Sequence, residues 1–215
     1  MLNLKRFQEE LEKRLHYPYV WGTKQNNVYD RLTNFIYKTP RFSDLLETLK
    51  EEALKPLKDY AMNRWFNFWS AMCVEDIFSR NPNVIPNENV IDPNEDFKLC
   101  GIPFDHKTTV FPKGFNGSLS YAKKYPIELV RWLYLNQSKG KRLHFKNRLF
   151  VVLYSEDQEH WKLKANISLI QTAVEEYLET FDQTKLLSFE YKDTKVYSDI
   201  IWVTAKKEKN ELHRL

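Results

Sequence analysis

The chain has 215 residues, of which 33 are basic and 29 acidic, with a formal net charge of +4 and a hydrophobic content of 42%. This length suits one fairly large domain, or a domain with an appended arm, and the composition is typical of a folded protein. No apolar run approaches the ~20 residues of a membrane-spanning helix, and the N-terminus lacks the apolar region of a signal peptide. We therefore expect a cytoplasmic protein with no membrane partner.

The cysteines and the charge balance restrict the class of site. Cys73 and Cys100 form no C-x-x-C pair and have no metal-ligand spacing with the five histidines, which indicates a reducing compartment and argues against structural zinc. The mildly basic charge tolerates a nucleic-acid partner without requiring one.

The N-terminal residues 1–55 have helical patterns. Residues 3–15 are amphipathic, residues 26–37 repeat the pattern, and Ser43 is predicted to cap a helix that begins at Asp44. We interpret this segment as a helical extension packed on the core. A DNA-contacting or dimerising arm is the alternative.

A long aromatic helix is predicted over residues 56–79, where Asn81-Pro82 stops it. Glu75 lies near its end, on a broad face that can point toward the following strands. The alternatives are that Glu75 is solvated, or that Asp76 takes its place at the site.

A β-hairpin is predicted after this helix and after a strand edge within residues 84–91. Residues 96–100 and 103–110 alternate in polarity around a turn at Gly101-Ile102. This turn places Asp96 opposite Lys107 and Lys98 opposite Asp105, with Asp96, Asp105 and Lys107 on one face and His106 on the other. Asp92 is the alternative first acid, although Pro93 places it in a turn.

The two carboxylates of Asp96 and Asp105 and the ammonium of Lys107 are unsuited to a hydrophobic core, but carboxylates grouped on one face can bind a divalent cation. Here the sequence resembles the PD-(D/E)xK nuclease superfamily, whose pattern is an acid opening one strand, an acid-x-Lys on the next, and a Glu on the preceding helix. Asp96 matches the first acid, Asp105-His106-Lys107 the triplet, and Glu75 the helical Glu. The chain departs from the pattern in having Glu95 where the family has Pro, and Asp where Glu is commoner.

The resemblance implies metal-dependent hydrolysis of DNA phosphodiester bonds, by an endonuclease of restriction type or a related one. Glu75, Asp96, Asp105 and the backbone carbonyl of His106 would hold Mg²⁺, for which Mn²⁺ can substitute. Lys107 would position the attacking water or offset charge, and Thr108 or Thr109 would add a hydrogen bond. RNA remains an alternative substrate, and concerted cutting of two strands would call for a homodimer.

The later chain predicts the rest of the core. After a helix within residues 121–135, a strand is predicted at 148–154, a helix at 163–181 and strands at 186–191 and 196–204, before a charged tail at 205–215. This order predicts an α/β fold, with a restriction-endonuclease-like core at residues 56–204 in which helices flank a central mixed sheet. Basic residues are concentrated between 123 and 148, and this window is interpreted as DNA-facing or else as a solvated face: Lys123, Lys124, Arg131, Lys139, Lys141, Arg142, Lys146 and Arg148.

Two other functions fit the same residues. The first is a binding module on the same fold that lacks catalysis. The second is a protein-interaction module in which Asp105 and Lys107 form a surface ion pair of little energetic value.

Overall fold

The computed structural model describes residues 1–87, 95–136, 146–191 and 194–206. Within these residues, six strands form one mixed sheet in the order β1-β2-β3-β4-β6-β5. The pairs β1–β2, β2–β3 and β5–β6 are antiparallel, and the pairs β3–β4 and β4–β6 are parallel. The expected α/β class with a mixed sheet flanked by helices is confirmed.

The described elements have the following bounds. The strands are β1 Val84–Pro86, β2 Phe97–Leu99, β3 Ile102–Val110, β4 Arg148–Ser155, β5 Leu187–Tyr191 and β6 Thr194–Ala205. The α-helices are α1 Leu4–Arg14, α2 Asn27–Leu32, α3 Phe42–Thr48, α4 Lys58–Ser79, α5 Leu119–Lys124, α6 Pro126–Asn136 and α7 Ile167–Glu179. Short 3₁₀ helices lie at Asn34–Lys38, Glu52–Leu57, His160–Ala165 and Gln183–Lys185.

Helices cover both faces of the sheet. One face packs against α4 and α7 through side chains such as Phe104, Leu149 and Val151, and α1 packs on these two helices. The other packs against α5 and α6 through Phe150 and Val152. Because β4 is central and parallel to both neighbours, its side chains are buried on both faces, as its continuous apolar run predicts.

The N-terminal helices belong to the larger of these two hydrophobic clusters. The fully buried Arg14 donates hydrogen bonds to the carbonyls of Tyr17 and Pro18 and to Oδ1 of Asn63 on α4, at 2.7, 3.0 and 2.5 Å. The predicted capping of α3 by Ser43 is wrong. The helix begins at Phe42, whose N–H donates to Glu10 Oε2 at 2.7 Å, so a distant carboxylate supplies the cap.

Three predicted helices are interrupted in the structure, and a fourth begins later than predicted. The long helix ends at Ser79 as predicted, but it begins at Lys58 and not at Pro56, because residues 52–57 are a 3₁₀ turn that contains Pro56. The pattern over 26–37 divides into α2 and a 3₁₀ helix, and that over 163–181 divides at Asn166, whose side chain caps α7. Tyr125 separates α5 from α6. No helix in the described residues is both long and apolar enough to cross a membrane.

The predicted hairpin is present, but its turn lies one residue earlier, at Cys100-Gly101. Both residues have positive φ, 49° and 83°, which is characteristic of a two-residue type I′ connection. Phe97 pairs with Phe104 and Lys98 with Pro103, so the predicted partners of Lys98 and Asp96 are wrong. The register is displaced by two residues, an even number, so the side chains of β3 keep their predicted faces. Asp96 does not, because it lies outside β2 and its carboxylate pairs with the ring of His106, which points to the opposite face from Asp105 and Lys107.

Candidate metal centre and surrounding cavity

A cavity of ≈ 350 Å³ is lined mainly by residues of α4 and β3. Glu75 comes from α4, Asp96 from the residue before β2, and Asp105, His106 and Lys107 from β3. All four residues predicted to be catalytic, and His106, line this one cavity. Asp76, the alternative to Glu75, instead accepts from the backbone N–H of Leu2 and from Arg80.

Asp96 lies at the point where β2 stops pairing with β3. Its own N–H donates to the Phe104 carbonyl at 2.8 Å, which continues the hairpin. Its Oδ2 then accepts the backbone N–H of His106 at 2.7 Å and lies 3.0 Å from His106 Nδ1. Burial opposes ionisation of Asp96, but these hydrogen bonds and the charge of Lys107 outweigh it and lower its pKa.

Glu75, Asp96 and His106 form a compact set of metal-type ligands. One ligand atom from each lies within 4.8 Å of the other two. Burial raises the pKa of Glu75, and the charges of Asp96 and Asp105 raise it further, while His106 opposes the shift. Two neighbouring carboxylates thus have pKa values displaced in opposite directions, and a cation placed between them would relieve their repulsion.

The role predicted for His106 needs correction. It is on the opposite face of β3 from Asp105 and Lys107, as predicted, but that face carries part of the site. Its buried imidazole lies against Phe78 of α4, with ring centroids 5.9 Å apart. Because Glu75 also comes from α4, the ring of His106 joins the carboxylate cluster, whereas the prediction gave it only a backbone carbonyl.

Asp105 lines the cavity but is bound to another partner. Arg148, only 2% exposed, donates from Nε to Asp105 Oδ2 at 2.7 Å. The two residues are paired in register on β3 and β4, and the Arg148 guanidinium lies 5.4 Å from the ring centroid of Tyr134 on α6. Asp105 therefore fixes a buried cation, and the alternative of an Asp105–Lys107 surface pair is wrong.

Lys107 and Thr108 present free polar groups to the cavity. Lys107 is exposed and, within the described part of the chain, makes no ion pair. The Thr108 hydroxyl is buried and finds no hydrogen-bond partner among the described atoms. An orphaned hydroxyl beside two carboxylates and an imidazole fits a site that takes a ligand or ordered water.

Lys123, Lys124 and Arg131, at the start of the basic window, lie away from the cavity. Lys123, Lys124 and Arg131 lie over the rings of Trp202, Tyr125 and Phe189, at 5.7, 5.2 and 5.8 Å from the centroids, and none of them lines the cavity. Arg148 is not DNA-facing, because it is buried against Asp105. The other residues predicted to bind nucleic acid, Lys139, Lys141 and Arg142, lie outside the described residues, as does Asp92.

Sequence reasoning missed one cation at this site. Lys164 lines the cavity, and its Nζ donates to Asn67 Oδ1 of α4 at 2.5 Å. Its backbone carbonyl accepts from Ser70 Oγ at 3.0 Å. No local pattern identifies Lys164, since 97 residues separate it from Asn67. The only available signal is that Asn67 and Glu75, two polar residues on a largely aromatic helix, lie on one face with the small Ala71 between them.

Glu75, Asp96 and His106 are thus placed where they can hold a metal ion. No protein-family model matches the chain, and comparisons with curated proteins and with solved structures also find no match.

Proposed function

We propose that this protein is a metal-dependent nuclease that hydrolyses phosphodiester bonds of DNA, with a core of the PD-(D/E)xK type. One observation carries the proposal: the ligand atoms of Glu75, Asp96 and His106 converge within 4.8 Å in a cavity that also contains Lys107. The order of a helical Glu, a hairpin acid and an acid-x-Lys agrees with the family pattern.

The donor set suits a divalent cation. Carboxylates are ligands for Mg²⁺ and Mn²⁺, and an imidazole among them favours Mn²⁺ over Mg²⁺. Glu75, Asp96 and His106 would hold it, with the His106 carbonyl as a further ligand and Thr108 as a hydrogen-bond partner. A cation held there supplies Lewis-acid stabilisation of phosphate charge and a nucleophilic water at neutral pH.

The protein side chains divide the remaining work. Asp96 is held in orientation by two contacts from His106, so it stays ionised and aligned. Lys107, which makes no ion pair among the described residues, brings the ammonium needed to neutralise charge on a phosphate oxygen or to orient water. Asp105, fixed by Arg148, adds negative charge near Glu75 and keeps β3 and β4 aligned at the cavity.

Plasmid cleavage tests this proposal. Wild-type protein with Mg²⁺ or Mn²⁺ should nick supercoiled plasmid, and EDTA should stop the reaction. Lys107→Ala should abolish cleavage while leaving the far-ultraviolet circular dichroism unchanged. Lys98→Ala, at an exposed lysine on β2 outside the cavity, is the matched control and should cut normally.

Three results would count against the nuclease assignment. The first is cleavage by Lys107→Ala at the wild-type rate, and the second is wild-type cleavage that persists in EDTA. The third is failure of the wild type to cut either DNA or a structured RNA offered in parallel.

The Asp105–Arg148 pair supports one other candidate, a nucleic-acid-binding module on the same scaffold without catalysis. Because Arg148 already occupies one oxygen of Asp105, this acid can be retained for structural reasons alone. Such a module would bind duplex DNA with no dependence on Mn²⁺ and would leave plasmid intact.

A further inference from the structure

The cavity that contains the metal-type cluster extends along α4 to a second charged group. Asn67, Ala71 and Glu75 line it at successive turns of the helix. Eight residues at about 1.5 Å each place the ends of this stripe about 12 Å apart. Glu75 marks one end, and Asn67 with the Lys164 ammonium marks the other.

Lys164 is held in place by two contacts to α4. Ser70 Oγ fixes its backbone carbonyl at 3.0 Å, and Asn67 Oδ1 accepts from Nζ at 2.5 Å. A neutral amide oxygen orients the ammonium without cancelling its charge. Within the described residues Lys164 has no carboxylate partner, although three carboxylates line the same cavity.

Burial lowers the pKa of Lys164 to about 8, so the group is still mostly charged at neutral pH. A partly desolvated ammonium without a counter-ion is costly, and an incoming anion would reduce that cost. Neighbouring Lys162 differs, because it is exposed and pairs with Glu159 at 3.6 Å.

We infer that Lys164, oriented by Asn67, binds a non-reacting phosphate of the nucleic-acid strand that flanks the phosphate at the Glu75–Asp96–His106 cluster. The separation of about 12 Å along α4 places this contact away from the reacting atoms, so Lys164 is a positioning residue. The inference rests on the proposed nuclease function and adds a second anion subsite to it.

A contact of this kind has a defined kinetic signature. Because the contacted phosphate does not change during the reaction, losing the contact should weaken ground state and transition state equally. Lys164→Gln should therefore raise KM about three- to tenfold and leave kcat unchanged. Binding of a fluorescein-labelled 20-base-pair duplex in EDTA should weaken by the same factor, and the salt slope should fall by about one.

The controls separate this inference from the proposed function. Lys162→Gln, on the same 3₁₀ helix, should bind and cleave as wild type does, and Lys164→Arg should recover most of the affinity. If wild type binds and cuts DNA but Lys164→Gln matches it in KM and salt slope, the inference fails and the nuclease proposal stands. If wild type neither binds nor cuts, both fail together.

A second measurement on the wild-type protein covers the case in which Lys164→Gln does not fold. The protein is acetylated with an N-hydroxysuccinimide ester, with and without the duplex, and lysine labelling is quantified by mass spectrometry. DNA should protect Lys164 and leave Lys162 labelled. Equal labelling of Lys164 in the two samples would overturn the inference.

Discussion

Replacing Glu75 with Gln should change stability in opposite directions with and without metal. The carboxylates of Glu75 and Asp96 approach within 4.8 Å, where two unit charges repel by about 3.5 kcal/mol at an effective dielectric constant of ~20. Solvent in the open cavity reduces this to about 1–2 kcal/mol. Without metal, Glu75→Gln should therefore be more stable than wild type, with Tm higher by roughly 2–8 °C.

With metal the order should reverse. Mn²⁺ at a hundredfold excess over its Kd would stabilise the wild type by about 2.7 kcal/mol, or roughly 5–11 °C in Tm for a chain of this size. Glu75→Gln removes one of three ligands and should lose most of this gain. Differential scanning fluorimetry at pH 7.5, with EDTA or with a Mn²⁺ series, measures both effects.

An exposed glutamate gives the matched control. Glu179→Gln, at the exposed end of α7, removes the same charge and should follow wild type under both conditions. The reasoning would be refuted if Glu75→Gln were less stable than wild type in EDTA, or if it kept the full response to Mn²⁺.

Three further predictions concern buried groups. Asp105→Ala should lower the free energy of unfolding in urea by about 3–5 kcal/mol, because it leaves the buried Arg148 charge without its carboxylate partner. Adding Arg148→Met should recover part of this loss. Strictly additive losses for the two substitutions would contradict the pairing. Burial raises the pKa of the Cys73 thiol to about 12, so iodoacetamide should label exposed Cys100 in the native protein and Cys73 only after unfolding; native labelling of Cys73 would contradict its burial. Burial also raises the pKa of Asp199, so Asp199 binds a proton more tightly in the folded protein than in the unfolded chain. The gain in unfolding free energy from Asp199→Asn should therefore vanish below both pKa values and grow as pH rises from the unfolded pKa through the raised folded pKa. A gain that does not depend on pH would show that titration of Asp199 is not its cause.

The elements that sequence predicts well are those whose pattern is local. The apolar run of β4 allows only a central strand, and Asn81-Pro82 ends α4 wherever the helix packs. The faces of Asp105, His106 and Lys107 on β3 also follow from local alternation. They survive the wrong turn at Gly101-Ile102, because moving a two-residue turn by one position shifts the register by two.

The contacts that decide the chemistry could not be predicted in this way. Arg148 belongs to a basic window in sequence, yet its place at the start of a central strand buries it and gives it Asp105, 43 residues away. Lys164 reaches Asn67 only once the 3₁₀ helix His160–Ala165 has packed on α4. The choice between ring and carbonyl for His106 depended on which face of the sheet α4 covers, and periodicity does not determine this.

The short length of β2 determines how the site is supported. Because pairing between β2 and β3 stops at Phe97 and Phe104, the side chain of Asp96, and not another residue of strand, satisfies the His106 N–H. The relative positions of the Asp96 carboxylate and the His106 ring are therefore set by the backbone of a single strand that is anchored to the centre of the sheet, while α4 supplies Glu75. Insertions in the connecting loops should alter access to the cavity more readily than the spacing of its ligands, so substrate preference could diverge among descendants of this chain while the cation-binding geometry stays constant.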